Sequence, residues 1–145
     1  MRLMYSLRPA TEEDVLPMMA IGHEGLRPHV ERIREWSESE EEEGFKRHFE
    51  VSKVQIVTFE GNDIGYVKVM EEPDCTLIDG IYLSKAARTK GIGSAILQNI
   101  LASSSRPVRL RVHKGNPAHR LYVRLGFQCV GETQSQFEME FRRGA

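Results

Sequence analysis

The stretch Arg88-Thr89-Lys90-Gly91-Ile92-Gly93-Ser94 joins a predicted strand, Thr76 to Leu83, to a predicted helix, Ile92 to Ala102. A glycine-bearing loop that opens a helix presents backbone N–H groups that have no partner within the helix. The helix dipole adds positive potential at the same end. This order of strand, loop and helix predicts an anion site, and it sets the arrangement of the surrounding elements.

The residue types in this stretch specify the anion further. Gly91 and Gly93 carry no Cβ, so the backbone can approach a bulky group closely. Arg88 and Lys90 add positive charge, and an arginine can bind a phosphate through two parallel hydrogen bonds. A P-loop is excluded because no G-x-x-x-x-G-K-[ST] pattern is present, and Ile96 stands where a dinucleotide fingerprint needs its third glycine. The stretch predicts a pyrophosphate site of another kind.

A second stretch, Asn116-Pro117-Ala118-His119-Arg120-Leu121-Tyr122-Val123-Arg124-Leu125-Gly126-Phe127, lies downstream. Together with R-x-x-G-x-G at the helix start, it resembles the acyl-CoA signature of the GNAT acetyltransferase superfamily. The resemblance covers about Leu77 to Val130. It implies binding of acetyl-CoA, and a sheet in which two central strands splay apart.

The hydrophobic pattern predicts the order β-α-α-β-β-β-α-β-α-β-β, a mixed α/β fold with a central antiparallel meander. Pro9 is expected to stop the first strand, and Gly25 and Pro28 to end the first helix. A tight turn is predicted at residues 61–63. We call Arg88–Ser94 the phosphate loop. The strand that follows the predicted helix from Ile92 to Ala102 should run parallel to the strand from Thr76 to Leu83. The length predicts a single domain over residues 1–145.

Composition excludes several classes of protein. The 145 residues include 20 basic and 21 acidic ones, a formal net charge of −1, so nothing points to nucleic acid or to an anionic membrane. No apolar run approaches the ~20 residues of a membrane span. Cys75 and Cys129 are not spaced as a metal site and are expected to be buried free thiols in a reducing cytoplasm.

The resemblance implies the residues that bind coenzyme A. Backbone atoms of Ile81, Tyr82 and Leu83 are expected to hold the pantetheine arm, much as one strand binds another. Asn116 is a predicted polar contact to the same arm and also a helix cap. The diphosphate is expected to bind to the loop and to the start of the helix, namely Arg88, Thr89, Lys90, Gly91, Ile92, Gly93 and Ser94.

Acyl transfer to an amine needs a neutral nucleophile and a proton for the departing thiolate. By resemblance Tyr122 is the candidate acid, although it also lies on the apolar stripe of its helix. Some relatives carry a glutamate as base, and Leu77 and Arg111 stand near the two places where it occurs. Asp79 and His113 are the substitute candidates, and a chain of water molecules without a single base is the alternative.

The acetyl acceptor is expected to bind in the region between the first two helices, where His29 and Trp36 are candidate contacts. A cationic side of the strand at 108–113, which includes Arg111, is expected to bind a carboxylate of the acceptor. This predicts a small amine-bearing acid such as an amino acid derivative, although aminoglycoside-like and protein amines also suit the family.

The leading hypothesis is a cytoplasmic acetyltransferase, monomeric or homodimeric, that uses acetyl-CoA without a covalent enzyme intermediate. A CoA-binding regulatory or interaction module without turnover is the alternative, and the missing glutamate permits it. A dinucleotide-binding domain is a third and weaker reading, because no acidic ribose-binding residue follows a full glycine fingerprint. No metal, nucleic acid or membrane partner is expected.

Overall fold

A computed structural model describes residues 4–143 of the chain, apart from the side chain of Thr89. The element order predicted from the sequence is confirmed. The strands and helices are β1 (Tyr5–Pro9), α1 (Val15–Glu31), α2 (Glu38–His48), β2 (Val54–Phe59), β3 (Asn62–Glu71), β4 (Thr76–Leu83), α3 (Ile92–Ser103), β5 (Val108–His113), α4 (Ala118–Leu125), β6 (Gln128–Glu132) and β7 (Gln136–Phe141).

The strands form one mixed sheet in the order β1-β2-β3-β4-β5-β7-β6. β4 and β5 pair in parallel, as predicted, through Thr76–Ile78 and Val108–Leu110. Both strands continue beyond these three pairs, β4 to Leu83 and β5 to His113. So short a ladder is the arrangement expected of the two splayed strands.

The chain divides into two compact units, which are described separately. The first comprises Met1–Lys68 and Gly80–Ile92, and the second comprises Val69–Asp79 and Gly93–Ala145.

The core of the first unit is rich in aromatic side chains. Phe49 and Tyr66 are buried together with Met18 and Ile56, and Phe45 packs against them. Helix α1 comes close to Tyr66 at Gly22, where a Cβ atom would lie 2.5 Å from the tyrosine hydroxyl. A larger residue at position 22 would therefore displace the helix or the ring. Helix α2 begins at the predicted cap, where the Ser37 hydroxyl accepts a hydrogen bond from the Glu40 N–H.

The core of the second unit follows the alternation of β5. Val108, Leu110 and Val112 are buried on one face of the strand. Arg109 and Arg111, on the other face, are directly opposite Glu140 and Glu138 of β7. The apolar face is completed by buried residues of α3, of β7 and of the segment after α4, namely Ile96, Leu97, Leu101, Phe127 and Met139.

Two predicted boundaries are wrong. Helix α1 does not end at Gly25 or Pro28 but continues to Glu31. Proline forfeits one backbone hydrogen bond, but Pro28 is exposed and Val30 beyond it is buried, so packing offsets the loss. Pro9 does not stop β1 but belongs to it and pairs with Gln55. β1 is an edge strand, where a missing N–H is tolerated.

Two further expectations need correction. The turn between β2 and β3 is formed by Glu60 and Gly61, which both have positive φ, and Asn62 already belongs to β3. Such a pair matches the right-handed twist of a hairpin. Cys75 is buried as expected, and burial raises the pKa of its thiol. Cys129, however, is exposed, because β6 is the other edge strand of the sheet.

None of the helices within residues 4–143 is long and apolar enough to cross a bilayer. In the same residues, no group of three or more His, Cys, Asp or Glu side chains is placed to hold a metal ion.

Candidate functional site

The phosphate loop of the first unit has the backbone that its glycines predict. Arg88–Lys90 form one 3₁₀ turn, and Gly91 follows with φ of 76°. This left-handed conformation strains any residue that carries a Cβ. Buried Ile92 then starts α3, so the chain turns sharply into the helix. The first N–H groups of α3 lack partners within the helix and can donate to an anion.

Arg88 is held in place by two contacts within the first unit. Its Nε donates to the carbonyl oxygen of Leu83 at 3.0 Å, and its Nη2 donates to Glu24 Oε1 at 2.8 Å. A guanidinium carries five N–H donors, and these two contacts use two of them. Sequence reasoning missed Glu24, because it lies on α1, 64 residues away, and carries no local signal. Among the predicted loop residues, the side chain of Thr89 lies outside the described part.

The predicted pantetheine-binding residues lie at the end of β4. Ile81 and Tyr82 are half-buried and Leu83 is buried. β3 approaches this strand closely, because a Cβ atom on Gly65 would lie 2.1 Å from the Tyr82 carbonyl oxygen. The Tyr82 ring packs against Tyr66 with centroids 5.3 Å apart. These contacts fix the backbone of residues 81–83 relative to the core of the first unit.

Helix α4 of the second unit carries Asn116 and Tyr122. The Asn116 Oδ1 accepts a hydrogen bond from the Ala118 N–H at 2.9 Å, which is the predicted cap. Its amide group has two N–H donors that such a cap does not use. Tyr122 is half-buried, and its ring meets Phe127 edge to face at 5.8 Å. Gly126 ends the helix in the predicted left-handed conformation, with φ of 107°.

The two candidate bases stand at different places in the second unit. Asp79 follows the last β4 residue that pairs with β5, and its side chain is exposed. His113 ends β5 opposite Gln136 of β7 and is half-buried.

The second unit contains a cavity of about 330 Å³ at the start of β4 and β5. We call it the β5 cavity. Arg111 lines it together with Leu77, the two residues that the resemblance places near the glutamate positions of some relatives. The other lining residues that matter are Asp74, Cys75, Arg109 and Glu138. Of these, Asp74 and Glu138 were missed by sequence reasoning, because only the strand register brings them to this place.

Two arginine–glutamate pairs lie side by side on this face. Arg109 Nε donates to Glu140 Oε2 at 2.6 Å, and Arg142 contacts the same carboxylate. These guanidinium groups hold the pKa of Glu140 below its usual value, although its carboxylate is buried. Arg111 Nε lies 3.9 Å from Glu138 Oε1, which is too long for a hydrogen bond. The first pair is a fixed structural contact, whereas the second is loose.

Trp36 lines a different cavity, of about 530 Å³ and within the first unit, together with Glu31, Arg34 and Glu35. The Arg27 guanidinium lies 5.3 Å from the Trp36 ring centroid. His23, which sequence reasoning missed, meets the same ring edge to face at 5.0 Å.

His29 is not among the described residues that line the Trp36 cavity. It is half-buried on α1, and burial lowers the pKa of its imidazole.

Comparison with known proteins identifies the family. The family model described as the acetyltransferase (GNAT) domain matches residues 50–129. No curated protein matches the chain at a significant level.

Many solved structures share the fold. PaiA N-acetyltransferase from Thermoplasma acidophilum, solved in complex with coenzyme A, is 19% identical with a TM-score of 0.75, over 97% of this chain and 99% of that one. Apo YjaB from Escherichia coli is 15% identical with a TM-score of 0.76, over 99% and 100%. An N-acetyltransferase from Staphylococcus aureus Mu50 is 14% identical with a TM-score of 0.74, over 93% and 99%.

At these identities the likeness to solved structures shows the fold alone. The family model, however, matches more than half of the chain and spans both the phosphate loop and α4. The chain belongs to the GNAT acetyltransferase family, and it is an acetyl-CoA-dependent acyltransferase.

Proposed function

We propose that this enzyme transfers the acetyl group of acetyl-CoA directly to the amine of a small amine-bearing acid. The observation that carries the proposal is the β5 cavity, which brings Arg111 next to Leu77. A cationic side chain at this place suits a carboxylate on the acceptor. A cavity of about 330 Å³ lies at the small end of the range for ligand sites, which favours a small acceptor.

Coenzyme A contacts are proposed for residues of each unit. In the first, backbone groups of Ile81–Leu83 bind the pantetheine arm, and Arg88–Ile92 bind the diphosphate. In the second, Gly93 and Ser94 add the next N–H groups of α3, and Asn116 donates to the arm from its amide. The left-handed Gly91 at the start of α3 and the oriented guanidinium of Arg88 support this assignment, because the first N–H groups of a helix and a guanidinium both suit an anion.

Tyr122 is the proposed acid of the reaction. A phenol with an ordinary pKa near 10 can donate its proton to a departing thiolate. Asp79, His113 or a chain of water molecules accepts the proton that makes the acceptor nitrogen nucleophilic. The nitrogen bonds to the acetyl carbonyl carbon as the carbon–sulfur bond breaks. The acceptor ammonium loses two protons, of which one is balanced by the new thiol and one passes to solvent.

We also propose that both units form one transferase domain over residues 1–145, and that the enzyme works in the cytoplasm as a monomer or homodimer. Two cysteines that form no disulfide, one buried and one exposed, are consistent with a reducing compartment.

The test is thiol release from acetyl-CoA across a panel of amines that includes amino acids. The Tyr122→Phe variant should lower kcat by about 10²–10⁴ and leave both KM values close to those of the parent. Tyr5→Phe, which removes a hydroxyl on β1, is the matched control and should keep full activity. If acetyl-CoA binds but no amino acid of the panel releases thiol, the proposed acceptor class is wrong. If Tyr122→Phe keeps its kcat, Tyr122 is not the acid.

A further inference from the structure

The β5 cavity contains charges of both signs, and they differ in how firmly they are held. Arg109 and Arg111 are two residues apart on the same face of β5, and each lies opposite a glutamate of β7. Arg109 is bound to the buried Glu140, so it already has a close partner. The Arg111 side chain is 63% exposed, against 40% for Arg109, and it meets Glu138 at a longer distance. The pair formed by Arg111 and Glu138 is therefore the one that a ligand can replace at small cost.

Glu138 is placed to act together with Arg111. It lies on β7 between β5 and β6, with Arg111 opposite on one side and Gly131 on the other. Gly131 has no side chain to contact it, and a Cβ atom there would lie 3.2 Å from Glu138 Oε2. The glycine thus leaves room beside the carboxylate. Glu72 and Asp74 add two further acidic groups to the same cavity, and Asp74 lies 3.5 Å from Arg109.

We propose that the β5 cavity recognises the acceptor as a zwitterion, with Arg111 binding its carboxylate and Glu138 binding its ammonium group. The inference rests on the proposed function and deepens it, because it makes Glu138 the residue that selects for an amine beside an acid. A loosely paired arginine and glutamate exchange their mutual attraction for two charge-assisted hydrogen bonds to the ligand. Leu77 also lines the cavity beside these charged groups.

The first experiment measures binding, so that it does not depend on turnover. Amino acids, their amides and the corresponding decarboxylated amines are titrated by calorimetry into the full chain saturated with CoA. The amino acids should bind at least about 10-fold more tightly than either matched compound, because each of these lacks one half of the charge recognition. Equal affinity across the three classes, or no binding of any amino acid, overturns the proposal.

The second experiment uses variants of the pair. Arg111→Met and Glu138→Gln should each weaken amino acid binding by about 10–100-fold and leave acetyl-CoA binding unchanged. The double variant R111E/E138R keeps an ion pair with reversed polarity. A merely structural pair would be rescued by this swap, whereas a ligand-binding pair would not. Arg124→Met, which removes an exposed arginine at the end of α4, is the matched control.

The outcomes separate the two levels of proposal. Thiol release with amines, but without preference for the zwitterion, overturns the role of Glu138 and leaves the proposed acetyltransferase intact. Rescue by the charge swap also overturns it. Amino acid binding that depends on both residues, without thiol release, supports the cavity and contradicts the proposed turnover. Urea unfolding of each variant checks that loss of binding is not loss of folding.

Discussion

The phosphate loop of the first unit and the β5 cavity of the second both place an arginine beside a carboxylate, but at different distances. Arg88 makes hydrogen bonds of 2.8 Å to Glu24 and 3.0 Å to the Leu83 carbonyl. Arg111 lies 3.9 Å from Glu138. A guanidinium oriented by two partners is preorganised, since it loses little side-chain entropy when a ligand binds its remaining donors. A guanidinium with one distant partner must instead be ordered by its ligand. The comparison suggests a fixed site for coenzyme A and an adaptable one for the acceptor.

Arg109 shows that the difference is not simply one between the two units. It shares its strand and face with Arg111, yet it is bound to a buried carboxylate. The hydrogen-bonded pair of Arg109 and Glu140 stabilises the fold, because burial of the Glu140 carboxylate without its cationic partners would cost free energy. Distance and burial of the partner therefore distinguish three proposed roles: Arg88 is oriented for a ligand, Arg109 supports the fold, and Arg111 is available to a ligand.

Among these arginines, the largest effect is expected at Arg88. Arg88→Ala should raise the KM for acetyl-CoA by about 10–100-fold, because one or two charge-assisted hydrogen bonds to a phosphate are lost. The kcat at saturating acetyl-CoA and the KM of the acceptor should stay close to those of the parent. Initial rates at varied acetyl-CoA measure this.

Glu24→Gln tests the orientation of Arg88 separately. Glutamine still accepts the hydrogen bond, so the KM for acetyl-CoA should rise by less than in Arg88→Ala. An effect of Glu24→Gln as large as that of Arg88→Ala would show that the charge of Glu24, rather than the hydrogen bond, holds the loop. An unchanged KM in Arg88→Ala would remove Arg88 from the site.

The features of the site that depend on neighbouring residues could be predicted from the sequence. Gly91 and Gly126 adopt left-handed backbones where local helix signals place them, and Asn116 caps α4. The carboxylates that hold or accompany the arginines could not be predicted. Glu24 and Glu138 reach their arginines through helix packing and strand register, which no short stretch of sequence encodes.

The misplaced end of α1 has a related cause. Proline and glycine carry a strong local penalty, and from that penalty Pro28 predicts a helix end. Burial of Val30 depends on the rest of the first unit, and it outweighs the local preference. Residue patterns thus recovered the order of elements and the left-handed glycine at position 91, whereas contacts distant in sequence decided the remaining boundaries and the lining of the β5 cavity.

The second effect concerns the free energy of unfolding, which should respond differently to the loss of Arg109 and to the loss of Arg111. Arg109→Met should lower the urea midpoint of unfolding, because the buried Glu140 then loses one of the two arginines that it contacts within residues 4–143. Arg111→Met should change the free energy of unfolding by no more than about 0.5 kcal/mol, as is usual for an exposed side chain. Equilibrium unfolding followed by circular dichroism measures both. Equal loss in the two variants would contradict the division between a structural and an available arginine.

The smallest effect tests firm pairing at a third arginine, Arg8, which lies in the first unit. Arg8 binds both carboxylate oxygens of Asp14 at 2.8 and 2.9 Å and holds the pKa of Asp14 at about 2, below its ordinary value of 3.8. A lowered pKa in the folded state stabilises the protein fully above the unfolded pKa, and this contribution disappears as the pH falls from about 4 to about 2. Asp14→Asn should therefore be less stable than the parent at pH 6, and the difference should shrink on acidification through that window. Urea midpoints at a series of pH values measure it, with Glu13→Gln as the control for loss of a neighbouring exposed carboxylate. If the difference in stability between Asp14→Asn and the parent stays constant down to pH 2, the pair of Arg8 and Asp14 stabilises the protein through packing rather than through charge. A short arginine–carboxylate distance would then not indicate an electrostatic contribution to stability at the other arginines either.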